Sequence, residues 1–395
     1  MPYALWPEMA IPLKYNIRSL LVRRVSSAMT GAGIALVVAV FAIVMAMVAG
    51  LDSAIESGGS PDNLVVLRRG ATTETVSGFS IAQYDALKFL SGIRRTPDGQ
   101  PYASPELPVQ ALTARVDGVR DNVVLRGVRP IGMLVHDKVH IIEGRMFKPG
   151  LSEVIVGRAL VGRYRDSTIG STLHIGRGAW QVVGIFADGG SSFESEVWGD
   201  LYQVQKDTQR GLYYSAVRLK VAPGADIPAL IRRIANDPQI NLEAETEADY
   251  YHDQTLTADR MRTLGMVVAI IMAIGAIFAA MNTMYAAVSA RTTEIGTLRA
   301  LGFSRGAVML SFVIESLILA ILAGAIGVIL AFPVNGISAS VSNLQTFSAM
   351  VFSFRITVRI VIDALLFAIV IGVAGGWLPA RQAMRLSVVD ALRSR

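Results

Sequence analysis

The chain has 395 residues, of which 52% are hydrophobic and only 17% are charged. Soluble domains of this length rarely bury so much apolar side chain, so part of the chain is expected to face lipid. Cysteine is absent, which excludes disulfides, thiolate metal sites and a cysteine nucleophile.

The formal net charge of +6 is unevenly distributed. Residues 52–262 carry 24 basic and 26 acidic side chains, whereas the rest of the chain carries 13 basic and 5 acidic ones. The basic excess therefore flanks the apolar segments, as the positive-inside rule predicts for membrane proteins. A contiguous basic face of the kind that binds nucleic acid is absent, so we expect no nucleic-acid partner.

Four apolar stretches have the roughly 20 residues that a helix needs to cross a bilayer core about 30 Å thick. They cover residues 25–51, 263–290, 306–332 and 360–380. The first is too long for the apolar region of a cleaved signal peptide, so it is interpreted as a signal anchor behind the basic N-terminal segment 1–24.

The flanking charges predict the orientation of these spans. Basic side chains are concentrated in residues 1–24, in the loop 291–305 and in the tail 381–395, and we expect all three to be cytoplasmic. Residues 52–262 and the shorter loop 333–359 should then lie outside. Small residues recur at helical spacing in the spans and favour close helix packing, within one chain or across a dimer. They are Ala42, Ala46 and Gly50; Gly275 and Ala279; Ala320 and Gly324; and Gly372 and Gly376.

The outer segment is predicted to be a mixed α/β domain. A strand (63–67), a helix (80–90) and a strand (107–116) are followed later by the same order at 213–221, 227–234 and 240–244. These two β-α-β units bracket a glycine-rich middle with short strands at 154–156, 172–175 and 181–186. We therefore expect residues 60–119 and 210–246 to form one subdomain, with residues 120–209 inserted into it. Helical stalks are predicted at 52–58 and 247–262.

Motifs for familiar chemistry are absent or lie in the wrong context. No glycine is followed by lysine, so the chain has no Walker A motif for ATP. Residues 302–306 match the G-x-S-x-G pattern of hydrolases but join two helices, which indicates a turn. His136 and His140 have the spacing of metal ligands but no evident third partner, so we expect surface histidines and no metal site.

Glu315 is an ionisable residue inside the third span. Such a group costs about 2.5 to 3.5 kcal/mol near the bilayer centre and is often functional. It lies ten residues after Arg305, roughly 15 Å along a helix. Two interpretations stay open: a gate or contact between helices, or a protonated or Ser311-paired glutamate that only packs the bundle.

The loop 291–305 is predicted to form a short amphipathic helix in the cytoplasm. Charged residues alternate there with Ile295, Leu298 and Leu301. Its apolar face needs a partner, and the chain itself offers no cytoplasmic domain to supply one. Binding to a separate protein is favoured over the alternative, a helix that lies on the lipid surface.

Residues 288–302, VSARTTEIGTLRALG, closely resemble the V-S-x-R-x-x-E-I-G-x-L-R-A-L-G signature of FtsX/MacB-type ABC transporter permeases. These proteins are also called type VII transporters or mechanotransmitters. Similar matches to the family occur at 13–18 (LKYNIR), 182–186 (VVGIF), 378–383 (LPARQA) and 390–393 (DALR).

The resemblance implies that the loop helix docks on a separate ABC ATPase subunit, which would hold the ATP and Mg²⁺. This chain would then have no catalytic residue and no cofactor of its own. The residues that would couple it to the ATPase are Arg291, Glu294, Ile295, Gly296, Leu298, Arg299, Ala300, Leu301 and Gly302.

The resemblance also implies an α-helical membrane protein of four spans with a MacB-like α/β domain between the first two. The chain would form a homodimer or heterodimer with a second permease subunit in the lipid of the bacterial inner membrane. It would export or extract a lipoprotein, lipid, peptide or drug, with a periplasmic adaptor or outer-membrane channel as further partners. The alternative is a signalling mechanotransmitter that activates a partner such as a cell-wall hydrolase without transport.

Overall fold

The computed structural model describes residues 18, 20, 22, 24–254, 256–342 and 349–385. Most of the 13–18 motif and all of the 390–393 motif lie outside these residues, as does part of the predicted stalk 247–262. The chain forms two compact units. The membrane unit contains residues 1–49, 260–337 and 354–395, and the outer unit contains residues 50–259 and 338–353.

The helices and strands follow the chain in this order. The helices are α1 (Arg24–Glu56), α2 (Ile81–Leu87), α3 (Gly132–Val135), α4 (Leu201–Asp207), α5 (Ile227–Asn236), α6 (Glu247–Gln254), α7 (Leu256–Ala290), α8 (Thr292–Ala300), α9 (Arg305–Ala331) and α10 (Val358–Arg385). The strands are β1 (Asn63–Arg68), β2 (Phe79–Ser80), β3 (Ala103–Ala114), β4 (Arg120–Val128), β5 (His140–Gly144), β6 (Glu153–Gly157), β7 (Thr172–Ile175), β8 (Gly178–Ala187), β9 (Glu196–Asp200), β10 (Tyr213–Tyr214), β11 (Ala216–Lys220), β12 (Leu242–Thr246), β13 (Ser338–Ser342) and β14 (Ala349–Ser353).

Four helices in the described part of the chain are long and apolar enough to cross a membrane. They cover Arg24–Ile55, Arg262–Ala290, Arg305–Val334 and Val358–Arg385. A mixed α/β domain lies in the chain between the first two, so the predicted fold class is confirmed. The first helix continues past the predicted span end at residue 51 and reaches Glu56.

Small residues explain the close packing inside the membrane unit. A Cβ added at Gly324 would lie 2.7 Å from the Cβ of Ala368, so α9 and α10 approach each other too closely for a larger side chain. Ala42 and Ala46 of α1 are also buried in this unit. The predicted face on α7 differs, because Gly275 has nothing within 4 Å of an added Cβ. Small-residue faces on α1, α9 and α10 therefore pack within the chain.

The outer unit contains a ten-stranded sheet with the order β12-β1-β11-β3-β4-β9-β6-β8-β5, and β7 pairs with β8. The predicted β-α-β units are β1-α2-β3 and β11-α5-β12. They interleave, because β1 lies between β12 and β11 and runs antiparallel to both. This is the split β-α-β arrangement, which buries one face of four strands under two helices.

Strand β3 connects the two predicted parts of the outer unit. Its first residues pair with β11, and its later residues pair with β4, which opens the 120–209 segment. The sheet therefore continues from one part into the other. The hydrophobic core is also shared, since Leu64 and Leu219 belong to the same buried cluster as Val156 and Trp180.

The predicted loop 333–359 contains a hairpin, β13–β14, that belongs to the outer unit. The Val351 amide donates to the Ser195 hydroxyl at 2.9 Å. Met350, Val351 and Phe352 are each no more than 7% exposed. A Cβ at Gly50 would collide with the carbonyl oxygen of Ser353, so glycine is required there.

Candidate functional site

The loop between α7 and α9 carries the predicted docking residues and has a defined conformation. Helix α8 is followed by Gly302, whose φ of +99° favours glycine because a Cβ would be strained there. Helix α9 then begins after Ser304, whose hydroxyl accepts a hydrogen bond from the Ala307 amide at 3.1 Å. The turn predicted from the G-x-S-x-G pattern is therefore a helix stop followed by an N-cap.

One face of α8 is buried against the ends of the neighbouring spans. Ile295 is only 2% exposed, and the adjacent Gly296 is also buried. Ile295 belongs to a cluster with six residues of the spans: Met284, Val288, Val308, Phe312, Ala380 and Ala383. The expectation that the chain offers no partner for the apolar face is therefore wrong for Ile295, because the ends of α7, α9 and α10 together provide a pocket.

Arg291 and Glu315, predicted as separate sites, form an ion pair. The Arg291 Nη1 donates to the Glu315 Oε2 at 3.0 Å, and the two side chains are 10% and 5% exposed. Burial of a carboxylate is tolerable when a guanidinium compensates its charge in this way. This contact joins the loop before α8 to α9, and the role of Glu315 as a gate or as a packing residue stays a prediction. The Arg291 side chain accordingly points into the membrane unit.

The other face of α8 is accessible. The Glu294 side chain is 62% exposed, and Leu301 is 65% exposed. Leu298 and Arg299 are partly buried, and the Arg299 guanidinium donates to the carbonyl of Met384 at 3.3 Å. Further exposed positions are Thr293, Thr297, Ala300 and Gly302. The predicted residues thus divide into an anchoring set and an exposed set that combines one carboxylate with an apolar side chain.

A buried charge network in the outer unit was not predicted from the sequence. Arg126 of β4 and Arg218 of β11 are 4% and 0% exposed. Both guanidiniums donate to Glu106 Oε2, at 2.8 and 3.0 Å. Arg126 also contacts Glu196 at 2.6 Å. Further carboxylates in the network are Glu74 and Glu247. The one sequence feature that could have revealed it is an arginine inside each of two apolar strands, where a core side chain is expected.

The network favours the charged form of two of its carboxylates, Glu106 and Glu74. Burial alone would raise the pKa of Glu106, but Arg218, His136 and Arg126 outweigh it, and the pKa lies well below its usual range. The pKa of Glu74 is lowered for the same reason, with Arg126 and Arg218 opposing the effect of burial. Because both arginines bridge β3, β4 and β11, the network crosslinks the centre of the sheet.

His136 belongs to this network. Its Nε2 lies 2.7 Å from the Glu106 Oε1, and its side chain is 3% exposed. The expectation of a surface histidine is therefore wrong for His136, because the carboxylate and the rings of Phe193 and Trp198 enclose it. His140 is exposed as expected. In the described ranges, no group of three or more His, Cys, Asp or Glu side chains is arranged to hold a metal.

Two family models match the chain over most of its length. The MacB-like periplasmic core domain matches residues 27–237, and the FtsX-like permease C-terminal model matches residues 266–388. The second match contains the whole loop 291–305. The first match covers most of α1 and most of the outer unit, and the second covers most of the membrane unit together with the β13–β14 hairpin.

Two relatives illustrate the similarity. The macrolide export ATP-binding/permease protein MacB of Bartonella henselae is 26% identical over 353 residues, which cover 82% of this chain and 51% of that protein. The chain thus spans about half the length of this relative. The ABC transporter permease YknZ of Bacillus subtilis is 24% identical over 407 residues, covering 96% of this chain and 98% of the relative.

Among solved structures, the periplasmic region of MacB from Actinobacillus actinomycetemcomitans is similar to this chain with a TM-score of 0.38 and 11% sequence identity. The similarity covers 50% of this chain and 93% of that structure. Because this structural similarity is weak, the assignment of the chain to a family is based on the two family models.

Proposed function

This chain belongs to the permease family that combines a MacB-like periplasmic core domain with an FtsX-like C-terminal region, and from that premise we propose that it couples a separate ABC ATPase to movements of its outer unit. Helix α8 is the element that contacts the ATPase. The observation that carries the proposal is the division of α8 into a buried anchor and an exposed surface.

The exposed surface has the composition of a small docking site. Glu294 offers a carboxylate for charge-assisted hydrogen bonds, and Leu301 offers an apolar side chain that is 65% exposed among the described residues. Leu298, partly buried between them, extends the apolar area. The coupling residues that contact the ATPase in this proposal are therefore Glu294, Leu298, Ala300 and Leu301.

The buried face explains how a force on α8 would reach the spans. Ile295 packs against residues of three spans, and Arg291 is paired with Glu315 of α9. Close-packed interiors transmit displacement because they deform little. The anchoring residues Arg291, Ile295, Gly296, Arg299 and the turn residue Gly302 would thus make α8 move together with the spans.

The chain then connects the membrane unit to the outer unit at four points: 49/50, 259/260, 337/338 and 353/354. Two of these connections flank the β13–β14 hairpin, which packs within the outer unit. Movement of the spans would therefore act on the outer unit at more than one position in the chain.

The remaining proposals are supported by the similarity to this family. The relative from Bartonella henselae is named as a macrolide exporter, and this chain is proposed to act on an extracytoplasmic drug, lipid, peptide or lipoprotein. We propose a homodimer or heterodimer in the bacterial inner membrane, with both termini cytoplasmic and the outer unit periplasmic. ATP and Mg²⁺ would bind the ATPase subunit, and an adaptor or outer-membrane channel would complete an export route.

Co-purification with the ATPase, and its activity in nanodiscs, tests the proposal. Glu294→Ala combined with Leu298→Ala should reduce recovery of the ATPase by about tenfold or more, because few side chains carry most of the energy of an interface. Leu310→Ala, at a 55% exposed position of α9, is the matched control and should leave recovery unchanged. An undiminished complex with the double variant would refute the placement of the docking surface.

A further inference from the structure

Strand β3 has an unpaired stretch along one edge. Its residues 103–106 pair with β11 on one side, and its residues 107–114 pair with β4 on the other. In the described part of the chain, no strand pairs with residues 107–114 on the side that β11 occupies earlier. An unpaired edge of this kind presents free backbone groups to any extended chain that approaches.

The hydrogen bonds at the two ends of the stretch show which residues face the open side. The Glu106 carbonyl accepts from the Ser215 amide, and the Ala114 carbonyl accepts from the Arg165 amide, both at 2.9 Å. Alternate residues of a strand direct their backbone groups to the same side. Residues 108, 110 and 112 therefore also face the open side.

The identity of residue 108 agrees with this assignment, since it is a proline and has no N–H to donate. Gln110 and Leu112 each present one N–H and one C=O to the open side. Within the described ranges, no hydrogen bond to these groups is formed on that side.

A cavity of about 770 Å³ runs along this edge. Residues 109–114 all line it. Successive side chains of a strand point to opposite faces, so a cavity lined by all six residues, and by Asn122 and Leu125 of β4, reaches both faces of β3 beside its open edge. Leu112 is 55% exposed, although it is a large apolar residue. The volume lies in the range of ligand sites, roughly 300–1,000 Å³.

The charged side chains that line the cavity favour an acidic ligand. Arg120, Arg177 and Arg210 line it, and Asp207 is the carboxylate among the lining residues. Arg210 donates to the Tyr213 hydroxyl at 3.2 Å, and within the described residues none of the three arginines forms an ion pair. Three guanidiniums beside free backbone donors and acceptors match a polypeptide with carboxylate side chains.

We propose that the β3 edge at residues 110–112 binds an extended, acidic segment of a partner protein as an added strand. The backbone of the segment would pair with Gln110 and Leu112, and its carboxylates would contact Arg120, Arg177 and Arg210. Strand addition to an open edge is an established mode of peptide recognition. Binding needs neither ATP nor the ATPase, so it is tested independently of the proposed coupling function.

The probe is a fluorescein-labelled eight-residue peptide of alternating valine and glutamate, titrated with the full chain in nanodiscs without ATPase. Fluorescence anisotropy should show saturable binding. A valine–lysine peptide should bind at least tenfold more weakly because of the arginines. The valine–glutamate peptide with alternate backbone amides N-methylated should also lose binding, since it keeps its charges but cannot form the ladder.

Two pairs of variants locate the site. Leu112→Pro removes the edge N–H and should weaken binding about tenfold, whereas Leu112→Ala keeps the N–H and should bind as tightly as the unmodified chain or nearly so. Arg177→Glu should weaken binding of the acidic peptide, and Arg232→Glu on α5, away from the cavity lining, should not.

The outcomes separate the proposal from its competitors. Equal binding of the N-methylated peptide would overturn strand addition, and this result does not depend on whether any variant folds. If the acidic peptide fails to bind while oleate binds and Arg177→Glu abolishes oleate binding, the cavity takes an anionic lipid and the proposal is wrong.

Discussion

At the scale of single residues, the ion pair between Arg291 and Glu315 links the loop helix to the interior of the third span. Glu315→Ala would leave a guanidinium buried without its partner, which typically costs about 3–5 kcal/mol. Glu315→Gln retains a hydrogen-bond acceptor and should cost less. The double variant Arg291→Met with Glu315→Met should recover much of the loss, because an apolar pair removes both charges. Thermal unfolding of the purified chain measures all three.

A role of Glu315 as a gate can be tested separately from its contribution to stability. If Glu315→Gln and Glu315→Ala both fold normally and leave coupled ATPase activity unchanged, Glu315 has no role as a gate. Loss of coupling in a variant that retains the unmodified unfolding temperature would support such a role.

Asp188 in the outer unit predicts a pH-dependent change in stability. Burial raises its pKa to about 6, against the opposing effects of Ser191, His136 and Lys138. The protonated form of Asp188 is thus favoured in the folded state. Its contribution to the free energy of unfolding is fully present below the ordinary pKa of 3.8 and is lost as the pH rises through the folded-state pKa of about 6. Asp188→Asn should therefore have a more favourable effect on stability at pH 8 than at pH 3.5. The difference between its effects on the free energy of unfolding at the two pH values should be about 1–3 kcal/mol.

Measurement of the unfolding temperature of both proteins at the two pH values checks this expectation. An asparagine oxygen can still accept the hydrogen bond that the Ser191 hydroxyl donates to the carboxylate. An equal shift at both pH values would show that ionisation of Asp188 does not matter.

At the scale of elements, the two faces of α8 should respond differently to substitution. Ile295→Ala removes a buried side chain from a cluster of three spans and should destabilise the protein by about 2–4 kcal/mol. Leu301→Ala truncates an exposed side chain and should leave the unfolding temperature within about a degree, while weakening ATPase binding. If Ile295→Ala left stability unchanged, the assignment of α8 as an anchored element would be wrong.

The β13–β14 hairpin should depend on two outer-unit residues. Ser195→Ala removes the acceptor of the Val351 amide, and Gly50→Ala places a methyl group against the Ser353 carbonyl. Both changes should increase hydrogen exchange at Val351, as measured by mass spectrometry, because its amide bond opens more often. Ser192→Ala, in the same turn, is the control. Unchanged protection in both variants would show that neither contact secures the hairpin.

The elements themselves could largely be predicted from local patterns, whereas their partners could not. Apolar length was enough to identify four spans, and alternation identified β3 and β11. Sheet order depends on pairs far apart in the chain, such as Leu64 with Leu219, and local periodicity carries no information about them. The division of β3 between β11 and β4, and hence the open edge, is therefore a result of the structure.

Local sequence patterns also could not predict which residues of the candidate site are buried or paired. The signature at 288–302 identifies the loop, but Ile295 and Leu298 have the same apolar character in the sequence. Only the positions of Met284, Phe312 and Ala383, which come from three different helices, make Ile295 an anchor. The pairing of Glu315 was similarly hidden because its partner lies 24 residues earlier in the chain.

At the scale of the whole molecule, two units with different proposed roles are joined by four chain connections. The membrane unit presents α8, and the outer unit presents a sheet crosslinked by Arg126 and Arg218 with an open edge at β3. The ATPase that is proposed to supply the energy is a separate chain, so the proposed function depends on the contact between α8 and that chain.

Photo-crosslinking from single cysteines tests this contact, and the chain is suited to it because it has no cysteine of its own. A benzophenone attached at Leu301→Cys should crosslink to the ATPase subunit. The same label at Gly150→Cys, an exposed position in the outer unit, should not, and this cysteine should react with a membrane-impermeant maleimide from outside. A crosslink from position 150 with none from position 301 would contradict both the docking surface and the orientation.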